Sequence, residues 1–422
     1  AGSFGSTPVV LVTNPATRAA SGWGTAAPSW LAALDGTHPL AVPELETNSA
    51  GMLGMQALWQ VGGKKAPAER RLAAALLRSG RSAVPTEGEA LRAVAKGATG
   101  QPLVVTSERA MLAVNAASAR PDLVAVFPSE GSPALDYPVY RVAPEARTAS
   151  QGAGVDAVVA ALTGAEGLAA ARAAYLRSPD GSAPPAGAGG RVVRMPSPGA
   201  VEQGRFLVRL ASIAKPSRVL VVVDVSESMR AAVPGTGLSR VQVAGKAAAT
   251  AGDLLTDASS VGLWVFAVNL DGGAPYAKVA AVRPLGTALG GRTHRQVLVS
   301  SLLGLDERLA PGGTGLYRTA RDAVRAAREE FDPRAVNTVV LMTDGTDEFG
   351  GGLTREQLVR TLTVEAGSAP DRPVRLVGIG IGPSADLGAL RAMVAPTGGK
   401  AYRAETPAEL RQVLLDVLAR RG

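Results

Sequence analysis

The side chains best suited to chemistry lie in residues 218–229, RVLVVVDVSESM. Asp224, Ser226 and Ser228 stand at alternate positions, so on an extended or tightly turning segment one carboxylate and two hydroxyls fall on one side and converge. Hard oxygen donors suit a hard cation, Mg²⁺ first, with Mn²⁺ or Ca²⁺ as competitors. Two later stretches offer oxygens of the same kind. PGGTGLYRTA places Thr314 in a Gly-rich turn that opens a helix, and NTVVLMTDGTDE ends an apolar run at Asp344. The bland alternative is that these residues only cap helices and form turns, since Ser, Thr and Asp satisfy orphan N–H groups well.

Positioning such groups requires a sheet. Val219 to Val223 form an unbroken, β-branched-rich apolar run, which reads as a buried parallel strand ending at Asp224. In open α/β sheets ligands bind in the crevice outside the carboxyl ends of the strands, which is where Asp224 and Asp344 would sit. Around them the pattern predicts a helix over 238–255, strands over 261–267 and 278–282, and a helix over 293–303. A helix over 317–331, a strand over 338–343 and a helix over 355–366 follow. Strand 374–381, helix 385–394, strand 401–403 and helix 407–418 complete a doubly wound α/β domain.

These residues resemble the von Willebrand factor type A domain. All five positions of that family's metal-ion-dependent adhesion site are matched, by Asp224, Ser226, Ser228, Thr314 and Asp344. The resemblance implies that the serines hold the ion directly, the threonine joins when ligand binds, and the aspartates act directly or through water. It also implies a shift of the last helix on binding. Glu227 departs from the pattern, where a small residue is usual.

The first part of the chain is less explicit. A strand over 8–12, a short helix over 28–34, a strand over 39–42 and a helix over 52–60 are followed by helices over 67–79 and 87–96. Strand 102–106 runs into a helix over 107–117. Return strands over 123–128 and 137–142 and an Ala-rich helical region over 156–176, broken near Gly164, come next. Helix entries rich in hydroxyls offer N–H and O–H groups to a polar or anionic ligand. The candidate contacts are Thr13, Asn14, Thr47, Asn48, Ser49, Thr106, Ser107 and Tyr137; for Thr47, Asn48 and Ser49 simple N-capping is the competing reading. The strands and turns PVVLVTNP, PLAVPELETNSAG, VVTSERA and FPSEGSPALDYPVYRV resemble the later part of a type 2 periplasmic-type solute-binding domain. In that class a βαβαβ half-lobe normally precedes these elements, so the expectation is either that an upstream signal, anchor or subdomain supplies it or that something else completes the lobe. The resulting division is a solute-binding-like domain at 1–178, a Pro/Gly-rich linker at 179–203 and a type A domain at 204–422. The combination resembles actinobacterial substrate-binding and von Willebrand type A domain proteins, which implies a location outside the cytoplasm, on the envelope or secreted.

Composition narrows the classes. With 422 residues, 46% of them hydrophobic, the chain has ample material for two or three cores. A net charge of +8 comes from basic residues scattered among acidic ones, and Phe 6, Trp 4 and Tyr 6 are too few for a basic stripe interleaved with stacking rings. Nucleic acid is therefore not an expected partner. Zero cysteines exclude disulfides and thiolate chemistry. No run reaches the ~18 apolar residues of a membrane span. His38 and His294 are far apart and lie near no nucleophile-elbow serine, a reading that makes them surface residues. Gly62-Gly63-Lys64-Lys65 follows a helix instead of a strand, against a phosphate-binding loop. Without a nucleophile or general base, a non-enzymatic role is expected: Mg²⁺-dependent binding of a partner protein through its Asp or Glu carboxylate. The alternative is a receptor for a small polar or anionic solute whose type A domain relays or anchors the signal.

Overall fold

In the computed structural model the chain divides into two compact units, Ala1–Leu210 and Ala211–Gly422. The structure describes residues 2–23, 27–34, 38–43, 45, 47–62, 72–73, 86–118, 122–141, 148–182, 184–270, 273–345, 347–348 and 352–419. Most of the helix expected over 67–79 lies outside them.

The first unit is built on β1 (Gly2–Thr13), whose Val9, Val10, Leu11 and Val12 are wholly buried. A short helix α1 (Pro15–Ala20) follows it, then β2 (Leu40–Ala41), α2 (Ser49–Gly62), α3 (Glu87–Lys96), β3 (Leu103–Ser107) and α4 (Glu108–Ala116). Strands β4 (Val124–Val126) and β5 (Ala134–Val139) both return antiparallel along β1, as β3 does, while β2 and β3 are parallel. Val10, Val12 and Val104 of the sheet pack with Leu91 and Val94 of α3 and with Met111 and Leu112 of α4. The Ala-rich region forms α5 (Ala149–Thr163) and α6 (Ala165–Ala173), broken at Gly164. Among the described residues no single helix is long and apolar enough to cross a membrane, although the bent pair α5 and α6 passes that test jointly.

The stretch expected to be a linker is partly fastened to the first unit. The buried Arg177 guanidinium donates to the carbonyls of Gly189 and Gly190 at 3.0 and 3.1 Å, and Ser132 bridges Arg194. Buried guanidinium N–H groups need acceptors, and this segment supplies them. The boundary between units accordingly falls later, within α7 (Ala200–Ala214).

The second unit contains β6 (Ser217–Asp224), α8 (Arg240–Gly252), β7 (Ser260–Leu270), β8 (Ala274–Pro284), α9 (His294–Leu303), α10 (Leu316–Glu329) and β9 (Val336–Thr343). It ends with α11 (Arg355–Ser368), β10 (Arg375–Ile381), α12 (Leu387–Val394), β11 (Ala401–Ala404) and α13 (Pro407–Ala419). The six strands of its main sheet run in the order β8-β7-β6-β9-β10-β11, all parallel except the edge strand β8. This is the doubly wound α/β arrangement read from the sequence. Alternation divides the buried residues between the two faces: Leu220, Val222, Val339, Leu341 and Leu376 pack with Leu316, Ala320 and Val324 of α10, Leu358 of α11 and Leu390 of α12. On the other face Val219, Val221, Val340 and Met342 meet Ala248 of α8, Leu298 of α9 and Leu414 of α13. Strand order reverses between β6 and β9, and at that switch point a doubly wound sheet opens its crevice.

His38 and His294 are not on the surface. They are 8% and 2% exposed, and His294 Nε2 lies 2.7 Å from the carbonyl of Val261. In this case a lone histidine serves the interior.

Candidate metal centre

Asp224 is the last residue of β6, and its neighbour strand β9 ends at Thr343, so the register itself brings the two chain ends together. The Thr343 hydroxyl donates to Asp224 Oδ2 at 2.6 Å, and the Ser226 N–H donates to Asp224 Oδ1 at 2.9 Å. Both side chains belong to fully buried residues. Burial pushes the Asp224 carboxyl up to about 6, against the pull of the Ser226 and Thr343 hydrogen bonds, and the nearby charge of Asp344 adds to the rise.

After Asp224 the chain turns through a short 3₁₀ segment, Glu227–Arg230. This turn puts Ser226 Oγ 3.1 Å from Ser228 Oγ, and Ser228 Oγ donates to Asp344 Oδ1 at 2.7 Å. The Gly-rich turn arrives from the other side. Gly312 has φ +109°, a conformation a Cβ resists. The Gly313 carbonyl accepts from the Val268 N–H at 2.8 Å, so the turn is pinned to β7. Thr314 Oγ1 then lies 3.3 Å from Ser226 Oγ. Glu227 is exposed and pairs with Arg230 at 2.8 Å, facing water.

The five residues read from the sequence thus meet at one place. The oxygens run Thr314, Ser226, Ser228, Asp344, with neighbours 3.3, 3.1 and 2.7 Å apart, and Asp224 stands behind Ser226. Oxygens about 2.1 Å from an octahedral Mg²⁺ are about 3.0 Å apart along each edge, so this donor set fits such an ion. Among the described residues no group of three or more His, Cys, Asp or Glu could hold a metal, so the hydroxyls are what qualify this cluster. Two buried carboxylates at the rim also give a divalent cation opposite charge to meet.

Two participants escaped the sequence reading. Thr343 anchors Asp224; its place just before Asp344 was the available signal. Arg240, the first residue of α8, donates through Nη1 to Asp344 Oδ2. No local pattern marks it, because the contact spans more than a hundred residues.

The candidate contacts of the first unit are placed by its sheet, most of them at one end and Thr13 and Asn14 at the other. β1 runs antiparallel to β3, with Val9 opposite Ser107 and Val12 opposite Val104. Thr13 and Asn14 therefore lie at one end of the sheet, and Thr106 and Ser107 at the other. Thr47, Asn48 and Ser49 follow β2, which is parallel to β3. Tyr137 stands in β5, and its ring lies 5.8 Å from that of Phe4 near the start of β1. Much of their hydrogen-bonding capacity is spent locally. Asn14 caps α1 through the Thr17 N–H at 2.8 Å and donates to the carbonyls of Val94, Gly97 and Ala98. Asn48 accepts from the Gly51 N–H at 2.7 Å, Ser107 caps α4, and the Thr106 hydroxyl donates to Glu87. Thr13 Oγ1 is buried without a hydrogen-bond partner among the described residues.

No protein-family model matches the chain, and no curated protein matches it. Among solved structures the chain is similar to a von Willebrand factor type A protein from Catenulispora acidiphila, at 23% identity and TM-score 0.35. That alignment covers 49% of this chain and 43% of the other. It is also similar to manganese-loaded TRAP protein of Plasmodium vivax, at 17% identity and TM-score 0.33, over 49% of this chain and 74% of that one. A third is proximal thread matrix protein 1 from the mussel byssus with a zinc-occupied MIDAS motif. It is 16% identical over 51% of both chains, with TM-score 0.32. The chain spans less than half of the first of these. The metal assignment rests on the oxygen cluster and not on likenesses of this size.

Proposed function

We propose that the second unit is a divalent-cation-dependent protein-binding module. Asp224, Ser226, Ser228, Thr314 and Asp344 would hold Mg²⁺, and an Asp or Glu carboxylate of a partner protein would complete the coordination. Bound there, the ion supplies a strong Lewis-acidic contact for an anionic oxygen. The chain's own residues orient it: Thr343 and the Ser226 N–H fix Asp224, and the pinned Gly312–Gly313 turn sets Thr314. The observation that carries the reading is the chain of four oxygens at 2.7–3.3 Å across three segments far apart in sequence. An adhesive or scaffolding role outside the cytoplasm suits such a contact, and no nucleophile is needed for it. For the solute-receptor alternative, Thr47, Asn48 and Ser49 follow β2 at the same end of the first sheet as Thr106 and Ser107, while Thr13 and Asn14 lie at the opposite end, and several of these side chains are already engaged in capping.

The test is cation titration followed by thermal unfolding. Millimolar Mg²⁺ or Mn²⁺ should raise the melting temperature of the wild-type protein, and Asp224→Ala should abolish the rise. Zinc, named for one of the similar structures, belongs in the same series. An equal rise in Asp224→Ala would refute the assignment.

A further inference from the structure

Arg240 is a cation placed against helix polarity and beside a buried carboxylate. It is the first residue of α8, after the N-cap Ser239, and the N-terminal end of a helix already carries partial positive charge. Its side chain is 19% exposed, whereas that of its partner Asp344 is fully buried. The guanidinium is also cradled: Gly382, with φ +84°, lies so close that a Cβ built there would fall 3.4 Å from Arg240 Nε. The backbone on both sides holds, Arg240 N–H to the Ala231 carbonyl at 2.9 Å and Gly382 N–H to the Ala404 carbonyl at 2.8 Å. This is a fixed positive charge, in contact with one of the residues assigned to the cation.

We propose that Arg240 is a specificity-determining counter-charge, which weakens the hold on the resident cation and thereby strengthens its capture of a partner carboxylate. This inference rests on the metal reading given above. Asp224 and Asp344 together bring two negative charges, and Arg240 cancels one. A divalent ion added to that trio leaves these three side chains and the ion one unit more positive than they would be without Arg240, and that extra charge draws a partner carboxylate. Without Arg240 the ion alone would neutralise the two aspartates, and an incoming carboxylate would gain less. Glu348 flanks the turn, its Oε2 2.2 Å from the place of a Cβ on Gly313, but it is present with or without Arg240 and leaves that difference unchanged. The two effects have opposite signs because like charges repel while the same guanidinium attracts the anion.

Arg240 also acts by position. It occupies Asp344 Oδ2 while Ser228 occupies Oδ1, so Asp344 is held with both oxygens engaged.

The experiment uses Mn²⁺ as cation and acetate as carboxylate, on the full chain. Mn²⁺ binding is followed by water-proton relaxation, and acetate is then titrated in to displace bound water from the loaded protein. Arg240→Gln keeps a donor for Asp344 and removes the charge; it should bind Mn²⁺ ~10-fold more tightly and need several-fold more acetate for the same loss of relaxation. Arg240→Lys, which keeps the charge, should stay close to wild type in both and controls for folding. A merely structural ion pair would leave both constants unchanged or weaken both, and either result overturns the proposal. If wild-type protein fails to bind Mn²⁺, the metal reading itself falls and this inference with it. If wild type binds and Arg240→Gln does not bind more tightly, only the present inference falls.

Discussion

Replacing Thr343 by valine keeps the volume and removes one hydroxyl from the buried centre. In the structure that hydroxyl donates to Asp224 Oδ2 at 2.6 Å and accepts from the Gly345 N–H at 3.2 Å. A hydrogen bond to a charged group contributes about 1.5–3 kcal/mol, and one between neutral groups about 0.5–1.5 kcal/mol. Asp224, raised by burial from 3.8 to about 6, is mostly ionised at pH 8 and mostly protonated at pH 4.5 when no cation is bound. Thr343→Val should therefore cost about 3 kcal/mol at pH 8 and roughly half as much at pH 4.5. The direction follows from linkage: a carboxyl with a raised native pKa holds its proton more tightly when folded. The ionisation penalty is then fully present above about pH 6, and metal-free stability rises as pH falls toward 4. Loss of the Thr343 donor raises that pKa further and steepens the rise. The assay is urea unfolding in EDTA at the two pH values, followed by circular dichroism, for wild type and variant. An equal cost at both pH values would refute the claim that this hydroxyl serves a charged Asp224.

Two further substitutions test the packing within each unit. Glu108→Gln in the first unit breaks a fully buried pair, Arg177 Nε to Glu108 Oε2 at 2.7 Å and Nη2 to Oε1 at 2.8 Å; it should cost about 3–5 kcal/mol in chemical unfolding. A loss under about 1 kcal/mol would mean that the pair is not isolated from water. Gly245→Ala in α8 would place a Cβ 2.0 Å from the Leu302 carbonyl oxygen of α9, a backbone atom that cannot rotate away. It should lower stability by about 1–3 kcal/mol in a thermal melt, and an unchanged melting temperature would contradict the packing of α8 on α9.

The second unit was legible because its signals are local. Val219 to Val223 can be satisfied only between two covered faces, and the register of β6 with β9 then carries Asp224 to the end of Thr343. Element edges moved by a few residues: the helix expected over 238–255 is α8 at Arg240–Gly252, because Leu238 and Ser239 pair with Ala232 and Val233. The strand expected over 261–267 extends to Ser260–Leu270 through pairing with β8. The first unit was harder to read. β1 begins at Gly2 and not at Pro8, since Gly2 and Ser3 pair with Val139 and Pro138 of β5, a choice that the weak β propensity of Gly and Ser does not announce.

From its sequence alone this chain announces an oxygen-rich cluster in an α/β framework, because residue type and alternation decide which side chains can face one point and which must be buried. Only the tertiary structure decided that Thr343 and Arg240 join the cluster and that Asn14, Asn48 and Ser107 turn to capping instead of converging on a ligand. The reason is one of range. Capping and burial are dictated within a few residues, whereas a guanidinium reaching Asp344 from the start of α8 depends on which strands lie side by side.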